Sequence, residues 1–259
     1  MKAFLFCIFY SLLAFSMPAL AASSVLVWPI YQIIESDQNA SALWLENRGA
    51  KSVNLQIRVL TWKQQNSQER YADQNDVVAS PPFATVAAGQ RQLIRLTRLK
   101  PVPAGREQAY RIIIDEIPAA DPLPQGNRTG LQLQMRYLLP LFLDGDGVWT
   151  NERNDKKRDA ATMSLPQLSW KMVSVNGKPY LNIRNQGAVH ARLSNVFWAH
   201  NNTPANAAIT LSPGFLGYVL PGQEMQWPLP GGKAAPTNNL QLYSQLSDNK
   251  PAVLIKHAE

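Results

Sequence analysis

Short runs of alternating apolar and polar residues, each closed by a turn signal about every ten residues, restrict this chain to a β fold. Residues 53–62 (VNLQIRVLTW) are the plainest case: Val53, Leu55, Ile57 and Val59 point one way, and Asn54, Gln56 and Arg58 the other. Successive strand side chains leave on opposite faces, so such a run has one side for a core and one for solvent. Residues 40–46 repeat the pattern before an Asn47-Arg48-Gly49 turn, and residues 90–96 follow Gly89. Residues 25–34 form a strand broken by Pro29, which has no N–H to donate and belongs at an edge or bulge. Residues 64–76 are polar and read as a loop. Residues 110–118 (YRIIIDEIP) and 131–142 (LQLQMRYLLPLF) form a hairpin around a long loop holding Pro122, Pro124 and Gly126. A second, shorter β set occupies residues 168–173, 180–184, 190–198, 215–220, 225–227, 240–245 and 252–256, with Asn176-Gly177 as a tight turn. No stretch carries the 3.6-residue period of a long helix. The pattern is that of an all-β sandwich protein.

Residues 1–22 read as a secretory signal. Lys2 begins it, an apolar run covers 3–15, and Pro18 with Ala19-Leu20-Ala21 predicts cleavage near Ala21 or Ala22. The apolar run is short for a membrane span. The single cysteine, Cys7, lies in that signal, so the exported chain has no disulfide and rests on burial alone. About 237 residues suffice for one large β domain or two ordinary ones. Residues 143–165 break the strand rhythm with Asp, Lys, Arg, Asn and Gly, and read as a solvated linker. The expected divisions are a signal over 1–22, a domain over 23–142, a linker over 143–165 and a smaller domain over 166–259.

The formal net charge of +7 suits an acidic partner, a membrane surface or nucleic acid. The longest basic cluster, Lys156-Lys157-Arg158, has aspartates on both sides, which argues against nucleic acid. No GxSxG, HExxH, CxxC or phosphate-binding loop is present, so no nucleotide, metal or other cofactor is expected. His190, His200 and His257 share no ligand spacing and read as strand or surface residues. In Ser247-Asp248-Asn249-Lys250 two triplets of penicillin-binding enzymes overlap in one polar turn, whereas those enzymes place them on separate elements. Asp115 and Glu116 face opposite sides of a strand, a poor arrangement for acid–base work. The chain does not read as an enzyme.

The stretch with the most functional content is 129–136. Leu131, Leu133 and Met135, with Thr129 extending the row, oppose Gln132, Gln134 and Arg136. Alternation alone leaves two readings open: an ordinary strand packing into its own core, or a row of side chains offered to another protein. An exported adhesin or carbohydrate-binding sandwich is a rival from another class. It needs a groove of exposed aromatic rings, while the tryptophans here lie scattered inside strand patterns.

Taken together, WPIY (28–31), Leu45-Glu46-Asn47, SPP (80–82), the strand after Gly89, YRIIIDEIP (110–118), QMRY (134–137) and Phe215-Leu216-Gly217-Tyr218 resemble the periplasmic pilus-assembly chaperones of the PapD-like family, in its archaic, Csu-type branch. The resemblance covers nearly the whole exported chain and is strongest over 25–142. It implies two immunoglobulin-like sandwiches in an L- or boomerang-shaped arrangement, with a cleft between them. It implies a periplasmic chaperone without enzymatic activity that lends a strand to pilus subunits, passes them to an outer-membrane usher, and can self-associate when free. Thr129, Leu131, Leu133 and Met135 then fill the subunit's open groove. The family's better-known members hold the subunit's C-terminal carboxylate with an arginine and a lysine, whose positions fall here on Tyr31 and Leu138. Neither is a cation, so Arg111 and Arg136, expected opposite each other across the hairpin, are the anchor candidates, assisted by the Tyr31 or Tyr137 hydroxyl. The resemblance also implies a structural ion pair between Arg95 and Glu116.

Overall fold

A computed structural model of the chain describes residues 25–118, 134–232, 236, 239–248 and 250–258. Thr129, Leu131 and Leu133 lie outside the described residues. No described helix is long and apolar enough to cross a membrane.

The first half builds ten strands: β1 (Val25–Trp28), β2 (Gln32–Ile34), β3 (Ala40–Asn47), β4 (Val53–Gln65), β5 (Gln68–Ala72), β6 (Val77–Ser80), β7 (Phe83–Val86), β8 (Arg91–Arg98), β9 (Glu107–Ile117) and β10 (Arg136–Asp144). They form a four-stranded sheet, ordered β1-β3-β8-β6, and a second sheet ordered β2-β10-β9-β4-β5 with β7 also on β4. The break at Pro29 lets the chain change sheets: β1 pairs with β3, whereas β2 runs parallel to β10. The core lies between the sheets. Leu43, Leu45, Ile94 and Leu96 meet Leu55, Ile57, Ile112, Ile114 and Leu141, all buried and all from the alternating rows.

The second half contributes β11 (Leu168–Val175), β12 (Lys178–Asn185), β13 (Ala191–Ala199), β14 (Ile209–Val219), β15 (Glu224–Pro228), β16 (Gln241–Gln245) and β17 (Val253–His257). Their order is β14-β13-β16-β17-β11-β12-β15, with β17 at the middle, pairing β16 on one side and β11 on the other. Asn176 and Gly177 both take positive φ in the β11–β12 turn, the conformation such a tight hairpin demands. Trp170, Leu181, Ile183, Leu193, Trp198, Val219, Leu242 and Ile255 pack between the layers.

Two expectations fail here. Residues 64–76 are no loop: β4 continues to Gln65 and turns through Asn66 and Ser67, both at positive φ, into β5. The hairpin is polar because β5 is an edge strand exposed along most of its length, so no apolar row marks it. Residues 143–165 are no free linker either. Leu143 and Asp144 end β10, and Val148 and Trp149 are buried. Arg153 and Arg158 both reach the buried Glu35 carboxylate, with Nη1 atoms at 3.0 and 3.1 Å. Arg153 also pairs with Asp37 at 2.8 Å. The charges that looked solvated in sequence are spent on strapping this segment to the first sandwich.

Candidate functional site

The site is built on the face of the β10-β9-β4 sheet that turns away from the first core. Side chains there come from alternate positions: Arg111, Ile113 and Asp115 on β9, Arg136, Leu138 and Phe142 on β10, Leu60 and Trp62 on β4. One end of this face meets the second sandwich. Trp62 and Phe142 pack on Tyr218 and Leu220, with Tyr31 and Ile33 alongside. The Trp62 and Tyr218 rings meet edge to face at 5.3 Å.

Polar contacts lock the same junction. Gln64 is buried, and its Nε2 donates to the Tyr218 carbonyl at 2.8 Å, while its Oε1 accepts the Leu220 N–H at 2.9 Å. One amide thus does what a strand partner would do for two backbone groups. His190 stacks flat on Phe142, with centroids 3.5 Å apart. Its backbone N–H donates to Glu107 Oε1 at 3.0 Å, its Nδ1 lies 2.7 Å from Glu107 Oε2, and its Nε2 lies 2.5 Å from the Tyr31 hydroxyl. A neutral imidazole satisfies both side-chain contacts, donating through Nδ1 and accepting at Nε2. Burial first, then the Glu107 charge, pushes the Tyr31 phenol far above its ordinary value, which keeps it a donor. The sequence placed His190 on a strand or the surface; it is buried at the contact between sandwiches. Nothing local signals this, because Glu107 and Tyr31 are far from it along the chain.

The four anchor candidates do not converge, and the expected hairpin register is corrected. Arg111 pairs across the strands with Pro140, and Arg136 with Asp115. The long loop shifted the true register by four positions from the expected one. Arg136 is exposed at the end of the sheet remote from the junction. It is bonded to Asp115, which Arg58 also reaches at 2.8 Å. Hydrogen bonding from Arg136, with Arg58 adding, holds the Asp115 carboxyl below the usual carboxylate range. Tyr137 points into the first core and donates to the Val25 carbonyl at 2.9 Å. The Tyr31 hydroxyl is taken by His190. Arg111 alone of the four stands beside both Trp62 and Tyr218 with its charged group towards them. Its guanidinium carbon lies over the Trp62 ring, 3.5 Å from the ring centre, and 5.5 Å from the Tyr218 ring centre. Only 12% of its side chain is exposed, its Nη2 reaches Glu69 Oε2 at 3.5 Å, and its buried Nε has no partner among the described residues. The second sandwich brings Arg192 beside Tyr218, its cross-strand neighbour. It bonds Asp248 at 2.8 Å and lies 5.3 Å from the exposed Phe215 ring. Strand reading missed Trp62, Tyr218 and Arg192, because which strands of two sandwiches touch is a long-range property.

The Arg95–Glu116 ion pair does not form. Arg95 projects outward from the four-stranded sheet, on the opposite face from the buried Ile94 and Leu96. Glu116 belongs to the other sheet, where its carboxylate receives the Met135 N–H at 3.4 Å. The exposed face that Arg95 shares instead carries Glu46 with Arg48 and Arg91, and a Trp28–Trp44 stack at 6.3 Å.

The start of β10 has the geometry that strand donation requires. Its inward row, Tyr137, Leu139, Leu141 and Leu143, fills the first core, but the next residue of that row, Met135, is 42% exposed. The row therefore leaves its own domain at Met135. On the outer face Leu138 is 43% exposed. β10 pairs with β9 along its whole length, but with β2 only over Leu141–Leu143. From Arg136 to Pro140 the far edge of β10 has no strand partner among the described residues. An incoming strand could take up those backbone groups.

Comparison with known proteins agrees with this geometry. Residues 30–148 match the family model for the pili and flagellar-assembly chaperone, PapD N-terminal domain. The crystal structure of the CsuC–CsuE chaperone–tip adhesion subunit pre-assembly complex, from archaic chaperone-usher Csu pili of Acinetobacter baumannii, is similar at 29% identity and TM-score 0.71, covering 91% of this chain and 100% of that one. The E. coli chaperone DraB shares the fold at 20% identity and TM-score 0.56, covering 92% of this chain and 98% of that one. The Salmonella enterica SafA pilin–SafB chaperone complex does so at 15% and 0.57, covering 92% and 97%. No curated protein matches. The family match over most of the first sandwich places that half of the chain among the PapD-like pilus-assembly chaperones, and along nearly its full length the chain is similar to a chaperone of the archaic, Csu type.

Proposed function

We propose that this chain is exported to the periplasm, captures pilus subunits by donor-strand complementation and delivers them to an outer-membrane usher. Its first sandwich supplies Thr129, Leu131, Leu133 and Met135 as the row that enters the subunit's groove. The observation that carries the reading is the unpartnered edge of β10 from Arg136 to Pro140, entered by an apolar row already outside its own core at Met135. Main-chain hydrogen bonds along such an edge give affinity, and alternate side chains give register. Each buried apolar side chain adds about 1.5–3 kcal/mol of transfer free energy before ordering costs.

Of the four anchor candidates, Arg111 fits the subunit's terminal carboxylate best. A guanidinium packed on Trp62 and largely shielded from water binds a carboxylate more strongly than an exposed one such as Arg136. Co-expression with a pilus subunit tests both parts. The wild-type chain protects the subunit from degradation and co-purifies with it one to one. Leu131→Asp with Leu133→Asp abolishes capture, and Arg111→Ala weakens it by about 2–5 kcal/mol. Unchanged capture by the double variant would refute strand donation.

A further inference from the structure

We propose that Glu69 is an internal stand-in for the client's carboxylate, holding Arg111 until a client displaces it. This inference rests on Arg111 being the carboxylate anchor. Arg111 is a charged group shielded from water, and such a group is costly to leave unpaired. Glu69 is its carboxylate partner, but the contact is poor: one Nη2–Oε2 approach at 3.5 Å, with the buried Nε left over. A guanidinium beside a carboxylate built to stay there makes two parallel bonds at shorter distance. The pairing prevents an orphaned charge without satisfying the guanidinium.

The position of Glu69 suits a group that leaves. It sits on β5, which pairs with β4 alone at the end of the sheet. The strand contributes nothing to the first core, so Glu69 can swing away without repacking. It also has a second partner waiting. The Tyr71 hydroxyl donates to the same Oε2 at 2.7 Å. Burial, with Glu69 adding, pushes the Tyr71 phenol up to about 12, so it remains a donor at any physiological pH. Replacing Glu69 by a client carboxylate exchanges one anion for another. The charge beside Arg111 is conserved, and Glu69 keeps its tyrosine. Discrimination follows from this balance: a ligand that offers only one hydrogen bond gains nothing over Glu69, whereas a free terminal carboxylate can engage Nε and Nη2 together.

Acetate, the smallest free carboxylate, serves as probe on the full exported chain, at constant ionic strength with chloride as the balancing anion. The reporter is the Arg111 Nε–H NMR signal, assigned by its loss in Arg111→Lys. Acetate is expected to shift that signal in the wild type, and Glu69→Gln to reach half-saturation at about three- to tenfold lower acetate. Glu69→Ala repeats the measurement without the glutamine's own hydrogen bonds. Equal or weaker acetate binding in both variants overturns the stand-in role, because a Glu69 that merely positions Arg111 would, on removal, weaken the site. If acetate leaves the Arg111 signal unmoved in all three proteins, the carboxylate-anchor reading fails, and the stand-in falls with it.

Discussion

Asp144 is the residue at which the fold opposes its own chemistry most directly. It closes β10 with both carboxylate oxygens buried and unpartnered among the described residues. Burial, then the nearby charges of Glu107 and Glu35, pushes its carboxyl up to about 8; Arg158 and Arg98 offset part of this. The folded state therefore holds a proton that the unfolded chain, at an ordinary carboxylate value of about 3.9, has released. This contribution to stability is most favourable below about pH 4. It declines as pH rises from about 4 through about 8, and is flat above. Asp144→Asn is expected to raise the melting temperature by about 5 °C at pH 8 and to leave it nearly unchanged at pH 4. A difference that is the same at both pH values would remove Asp144 as the cause. No sequence pattern announces this residue, since Glu107, its partner across the strands, and Glu35, just past β2, come near it only in the fold. By contrast, the outward and inward rows of β3 and β4 were legible from the sequence, because period two is a local property.

At the scale of elements, the two segments misread as loops share a cause. The β4–β5 hairpin and the strap after β10 are both polar, and their order comes from pairing rather than from an apolar face. The strap holds through Glu35. Asp37 beside it is hydrogen-bonded by Lys156, with Arg153 adding, and is held down to about 2. Glu35→Gln removes the charge that two arginines share. It is expected to lower the melting temperature by about 5–10 °C and to expose residues 150–160 to limited proteolysis. Unchanged resistance to protease would show that Val148 and Trp149 hold the segment unaided. β10 itself was legible as a strand, and its exit from its own core at Met135 agrees with the alternation read upstream. The register of its hairpin was not legible, because a long loop sets no fixed pairing.

At the scale of the whole molecule, an all-β, two-sandwich chaperone was readable from turn spacing and from the ordered motifs between Trp28 and Tyr218. The junction was not, since Gln64, His190, Glu107 and Tyr218 carry no pattern until both sandwiches exist. That junction fixes where Arg111 and Trp62 stand relative to Arg192 and Phe215. Gln64→Ala leaves the Leu220 N–H without its acceptor. Hydrogen exchange at that amide is expected to accelerate about tenfold, with amides in the centre of β9 unaffected. Acceleration throughout both sandwiches would mean that Gln64 supports global stability rather than the contact between them.

The claim on which the rest depends is that residues 129–135 complete a client's sheet rather than their own. Photo-crosslinking from a benzoylphenylalanine placed at Leu133, in the chain co-expressed with a pilus subunit, tests it most directly. The same probe at Val78, exposed on the four-stranded sheet, serves as control. The account predicts a one-to-one crosslink to the subunit from 133 and none from 78. Crosslinks from 133 that stay within the chaperone's own first sandwich, in the presence of a stably co-purified subunit, would contradict it.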